Sequence, residues 1–65
     1  MKHEIFEYKP GSGDYGTDWL RVMILANKPS ALRVAKDSIA CGARHLRVFT
    51  APKRGVGRMV AEFKA

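Results

Sequence analysis

Hydrophobic and polar positions change their period twice through the middle of this chain. Residues 19–27, WLRVMILAN, form the longest apolar run, dense in β-branched and large side chains and short enough for a buried strand. Residues 28–42, KPSALRVAKDSIACG, move from a period of two to one of about 3.6. Residues 44–50, RHLRVFT, return to alternation. The succession predicts strand, helix, strand, and the rest of the chain is arranged around it.

The helix is marked at both ends. Pro29 suits its first turn, Asn27 or Ser30 its N-cap, and Gly42 the left-handed position just past its end. Ala31, Leu32, Ala35, Ile39, Gly42 and Ala43 form one apolar arc, which Val34 and Cys41 extend at its edge. Arg33, Lys36, Asp37 and Ala40 lie opposite, so one face packs and the other meets water.

Upstream, residues 2–9 alternate imperfectly, with Glu4, Phe6 and Tyr8 on one side and His3, Ile5, Glu7 and Lys9 on the other. Residues 10–18, PGSGDYGTD, hold turn-forming types and few apolar ones, which predicts a loop. Gly11, Gly13 and Gly16 there match G-x-G-x-x-G. That spacing cradles a pyrophosphate only where a helix opens directly after it, and here a strand is expected. Downstream, Leu46, Val48 and Thr50 are expected to face the helix and His45, Arg47 and Phe49 to face away. Residues 51–57 form a basic turn, and residues 58–64, RMVAEFK, a last strand with Met59, Ala61 and Phe63 on the helix side.

These elements predict one α+β domain over residues 1–65, ββαββ, with a four-stranded, mainly antiparallel sheet and the helix packed on one face. Strand orders 2-1-3-4 and 1-2-4-3 both keep the sheet antiparallel, and a right-handed crossover between adjacent parallel strands is a third solution. The expected core packs Leu32, Ala35 and Ile39 on Leu20, Val22, Ile24, Leu46, Val48 and Phe63. Trp19, Arg21, Met23 and Leu25 then face outwards, joined by Phe49, Val60 and Ile5. A register displaced by one residue would exchange the two faces.

At 65 residues the chain sits near the lower size limit for a single unstapled core. Cys41 is the only cysteine, so no disulfide forms within the chain. One thiol and two histidines do not make a four-ligand zinc site, and no cofactor or metal is expected. No apolar leader and no membrane-length apolar run of about 20 residues is seen, so the expected location is the cytoplasm. Asp37, Cys41 and His45 are spaced four apart like a catalytic set. Gly42 interrupts the helix between them and no oxyanion-stabilising element is visible, so no enzyme is expected.

Twelve Lys and Arg against six Asp and Glu give a net charge of +6. Such a charge attracts nucleic acid or an acidic protein surface, and it also serves plain solubility. The outward side chains Trp19, Arg21, Arg47 and Phe49 combine aromatic rings with guanidinium groups. With Lys53 and Arg54 of the basic turn and Arg58 just after it, they are the candidate partner-binding residues. A face that apolar also suits a homodimer contact.

Residues 29–50, PSALRVAKDSIACGARHLRVFT, and the final GRMVAEFK resemble small phage-encoded proteins, some anti-CRISPR inhibitors among them. In these a Ser-containing cap, an Ala- and Lys-rich helix, a Gly, a short strand and a last strand of pattern apolar-Ala-x-aromatic-Lys follow one another. The resemblance covers residues 29–64 and transfers no residue's role. It implies a non-enzymatic inhibitor acting in a host cytoplasm on a protein complex that handles nucleic acid. Many such inhibitors are acidic DNA mimics, whereas this chain is basic. Its partner would then be an acidic protein surface or the nucleic acid itself. A small basic nucleic-acid-binding module is the alternative function.

Overall fold

A computed structural model of the chain describes residues 1–13 and 16–65; Asp14 and Tyr15 of the expected loop lie outside them. The elements are β1 (Lys2–Tyr8), β2 (Trp19–Leu25), α1 (Lys28–Ala40), β3 (His45–Ala51) and β4 (Met59–Lys64). They form a four-stranded sheet of order β2-β1-β3-β4, antiparallel throughout. This is the 2-1-3-4 arrangement. The helix returns the chain along the sheet, so β2 and β3 point the same way, and β1 fills the gap between them.

Helix α1 begins where its cap chemistry requires. Asn27 is extended (φ −152°, ψ 167°), and its side-chain oxygen accepts the Ser30 N–H at 2.9 Å, which makes Asn27 and not Ser30 the N-cap. At the other end Gly42 has φ +116°. The Ala43 N–H donates to the Ser38 carbonyl at 2.9 Å and the Gly42 N–H to that of Ile39 at 3.2 Å, a paired closure that needs a left-handed residue at this point. Ala43 then packs against the core.

The core is small. Ile5, Ala31, Ala35, Leu46 and Val48 are its buried apolar residues, with Leu25, Leu32, Val34, Ile39, Ala43, Val60, Ala61 and Phe63 packed around them. Two alanines, one turn apart, are fully excluded from solvent. Because these two positions carry only methyl groups, the helix backbone can approach the central strands there, where Ile5 pairs with Val48. The polar His3 is also buried on this side, its Nδ1 3.0 Å from the Met1 carbonyl oxygen.

The face assignments hold up to two irregularities. In β2 the pairing passes from Arg21 opposite Phe6 to Met23 opposite Ile5, leaving Val22 without a partner. In β4 it passes from Met59 opposite Phe49 to Ala61 opposite Val48, leaving Val60 extra. Each bulge reverses the alternation beyond it. Leu20 stays on the helix side, and Trp19 and Arg21 stay outside, as expected. Ile24, expected inside, is outside, while Met23 and Leu25, expected outside, turn to the helix side. Met59 faces outwards with Phe49, and Val60 packs on the core instead. Ile5 belongs to the core and not to the outer face.

Asp37, Cys41 and His45 do not meet. Cys41 is exposed at the helix end, and His45 is on the far side of the sheet from the helix. Among the described residues no helix is long and apolar enough to cross a membrane.

Because Leu46 is fully buried while Ile39 is only half-buried, the two should separate in denaturant melts. Leu46→Ala is expected to cost about 2 to 5 kcal/mol, and Ile39→Ala less than Leu46→Ala. Equal losses at the two positions would contradict this placement of the core.

Candidate interaction surface

The sheet face away from the helix is assembled by cross-strand pairing. The two inner strands supply its centre: Glu4, Phe6 and Tyr8 from β1, and His45, Arg47 and Phe49 from β3. The outer strands add Trp19, Arg21 and Ile24 on one flank and Met59 and Glu62 on the other. Strand geometry directs all of these to one face, since alternate side chains share a side.

Aromatic rings interlock across this face. Phe6 and Phe49 meet edge to face with centroids 5.4 Å apart. Tyr8 and Trp19 do so at 5.3 Å, and Trp19 and His45 at 4.9 Å. Such contacts between the negative face of one ring and the positive edge of another hold each ring in one orientation.

Two ion pairs lie among the rings. Arg21 Nη1 donates to Glu4 Oε2 at 2.8 Å. Arg47 Nε donates to Glu62 Oε2 at 2.8 Å, and His45 Nε2 stands 2.7 Å from the same oxygen. The ionised carboxylate can only accept, so Nε2 carries the proton in that contact. Arg47, held by Glu62, places its guanidinium carbon 4.2 Å from the centre of the Trp19 ring, a cation–π contact. Hydrogen bonds from Arg47 first and His45 second lower the Glu62 carboxyl from its usual 4.5 to about 2.

The face is hollowed rather than flat. Thr17 on one side and Val56 and Gly57 on the other rise around a concavity of about 630 Å³ whose lining includes Phe6, Trp19 and Phe49. Gly57 allows the second wall to approach. A Cβ there would fall 2.2 Å from the Thr50 carbonyl oxygen, so a side chain would push the β3–β4 connection away. Thr50 and Arg58 close that connection: the Thr50 N–H donates to the Arg58 carbonyl at 2.9 Å, and the Arg58 N–H donates to Thr50 Oγ1 at 2.9 Å.

Of the seven candidate residues, Trp19, Arg21, Arg47 and Phe49 come together as lining of this groove. Lys53, Arg54 and Arg58 are exposed on the β3–β4 connection and do not line it. The candidate set from the sequence does not contain Glu4 and Glu62, which hold the two arginines, or Phe6 and Tyr8, which carry half the aromatic layer. The available signal was the pairing itself: once β1 is central, Glu4, Phe6 and Tyr8 must share a face with Arg47. The groove offers π-faces, guanidinium groups and the Glu4 carboxylate. Among the described residues no cluster of three His, Cys, Asp or Glu side chains suited to a metal is found.

The Glu62 pairing makes an acid-sensitive element. Its carboxyl binds protons more weakly folded than unfolded, so its contribution to stability is complete above about pH 4.5 and is lost as pH falls through about 2. Glu62→Gln should flatten the loss of stability across this window in melts followed between pH 2 and 5, and an unchanged acid profile would remove the pairing as its source.

No protein-family model, curated protein or solved structure was found to match this chain.

Proposed function

We propose that this chain is a non-enzymatic interaction protein that docks on a nucleic-acid-handling protein complex through the outer face of its sheet, acting as a small phage-type inhibitor or modulator. The observation that carries the reading is the fixed aromatic–arginine layer, in which Glu62 holds Arg47 over Trp19. Trp, Tyr and Arg are the side chains that most often dominate binding energy at protein interfaces. Holding them in place beforehand reduces the entropy lost on docking.

Charge supports a protein partner at this face. Arg21 and Arg47 are already neutralised by Glu4 and Glu62, and a phosphate would have to displace a carboxylate and then sit beside it. The surplus charge lies elsewhere, on residues including Lys53, Arg54 and Arg58, where it would steer the protein towards an acidic complex. The resemblance over residues 29–64 points to the same class of target.

Direct binding of single-stranded nucleic acid is the second reading. It is favoured by the rings on the inner strands, Phe6, Tyr8 and Phe49, since a base can stack on a sheet there while the basic turn holds its backbone.

The two readings differ in salt response and in need for a protein. Pull-down from lysate with and without nuclease, followed by titration of the captured partner at two salt concentrations, separates them. Trp19→Ala and Arg47→Ala should weaken docking by about 2 kcal/mol or more, with a shallow salt dependence, while Arg33→Ala on the helix is neutral. A steep log-log salt slope with Arg58→Ala strongly affected would favour nucleic acid. Loss on Arg33→Ala with both sheet variants neutral would move the working surface to the helix.

A further inference from the structure

We propose that in the free protein the outer face is covered by a second copy of this chain, two sheets stacked face to face about a two-fold axis with one helix on each outside. The inference rests on the reading of this face as a docking surface, and adds that the protein masks the face until a partner displaces the second copy.

The shape leaves this side uncovered. The molecule measures 30 × 27 × 14 Å, one helix over one sheet. Its accessible surface is 4722 Å², whereas a compact monomer of 7.2 kDa is expected to expose about 4,100 Å². Tyr8, Ile24, Val56 and Met59 account for four of its exposed large apolar side chains, with Val56 91% accessible, and all four belong to the outer face or its groove. Among the described residues the core on the helix side contains five buried apolar residues, two of them alanine. Small domains of this kind commonly gain their remaining stability by association.

Charge selects a second copy on this face and disfavours one elsewhere. Two molecules of net charge +6 repel one another. At the centre of the outer face, however, Arg21 and Arg47 are matched by Glu4 and Glu62, and Lys2 and Lys64 fall at its margins. A two-fold axis brings each patch against itself, and a surface carrying both signs can exchange Arg–Glu partners across it. The 30 by 27 Å extents allow a face of up to about 800 Å², the contribution of one partner to a standard stable interface. Edge-to-edge growth is a poorer route, because the bulges at Val22 and Val60 interrupt regular pairing along both edge strands.

Sedimentation equilibrium from micromolar to millimolar protein, at low and high salt, tests this. The expected result is a monomer–dimer equilibrium that tightens with salt as the +6 charges are screened, the opposite sign to phosphate binding. Tyr8→Glu and Met59→Glu should each weaken the dimer about tenfold or more, because each places an unpaired carboxylate in the stacked face, where it loses its water. Melts of the dilute variants show whether they remain folded, and Met23→Lys, on the helix side of the β2 edge, should leave the dimer intact. A monomer at every concentration, growth beyond the dimer, or dissociation by Met23→Lys alone would overturn the proposal. Partner binding through Trp19 without self-association would sink this inference and leave docking standing. A dimer disrupted by Tyr8→Glu, with no partner affected by Trp19→Ala, would do the reverse.

Discussion

The helix that joins β2 to β3 brings those strands parallel and leaves a strand-wide gap, and the placing of β1 in that gap decides the rest of the structure. Filled by β1, the sheet becomes antiparallel throughout, and β1 is paired on both sides. The same strand supplies Ile5 to the core on one face and Glu4, Phe6 and Tyr8 to the other. Fold and surface therefore depend on one pairing. An antiparallel sheet tolerates an open second face, which an all-parallel arrangement of the same elements would not.

The two faces solve different problems. On the helix side, alanines at positions 31 and 35 let the helix settle close to the sheet, and burial is achieved with few large side chains. On the other side Phe6, Trp19 and Phe49 are only half-buried and Tyr8 is exposed, and order comes from edge-to-face contacts and from carboxylates that hold the arginines. Exposed ion pairs contribute little to stability by themselves. Their effect here is positional: Glu62 fixes Arg47, and Arg47 covers Trp19. A surface built in this way is ready for a partner, because its long side chains have already lost much of their freedom.

At the centre of the outer face charge is balanced, although the chain as a whole is strongly basic. Net charge read along a sequence therefore says little about the charge of a particular surface. Arg21 and Arg47 look like free cations in the sequence; Glu4 and Glu62, each at least fifteen positions away, neutralise them across neighbouring strands.

Sequence by itself determined the order of elements, the ends of the helix and the α+β class, because these follow from local chemistry. A period of 3.6 against two, an Asn before Lys-Pro-Ser, and a Gly after the last helical turn all act within a few residues. Only the tertiary structure decided which strand fills the gap and which side chains face out beyond the bulges. Val22 and Val60 are extra residues relative to their neighbours, and nothing in a run such as VMIL or MVA marks one residue as unpaired. The candidate site divides in the same way. Trp19, Arg21, Arg47 and Phe49 were legible because they precede the bulge in β2 or lie on β3, where alternation is unbroken. Their partners Glu4, Phe6, Tyr8 and Glu62 were not, because a contact between residues far apart in the chain exists only once the register of two strands has been set.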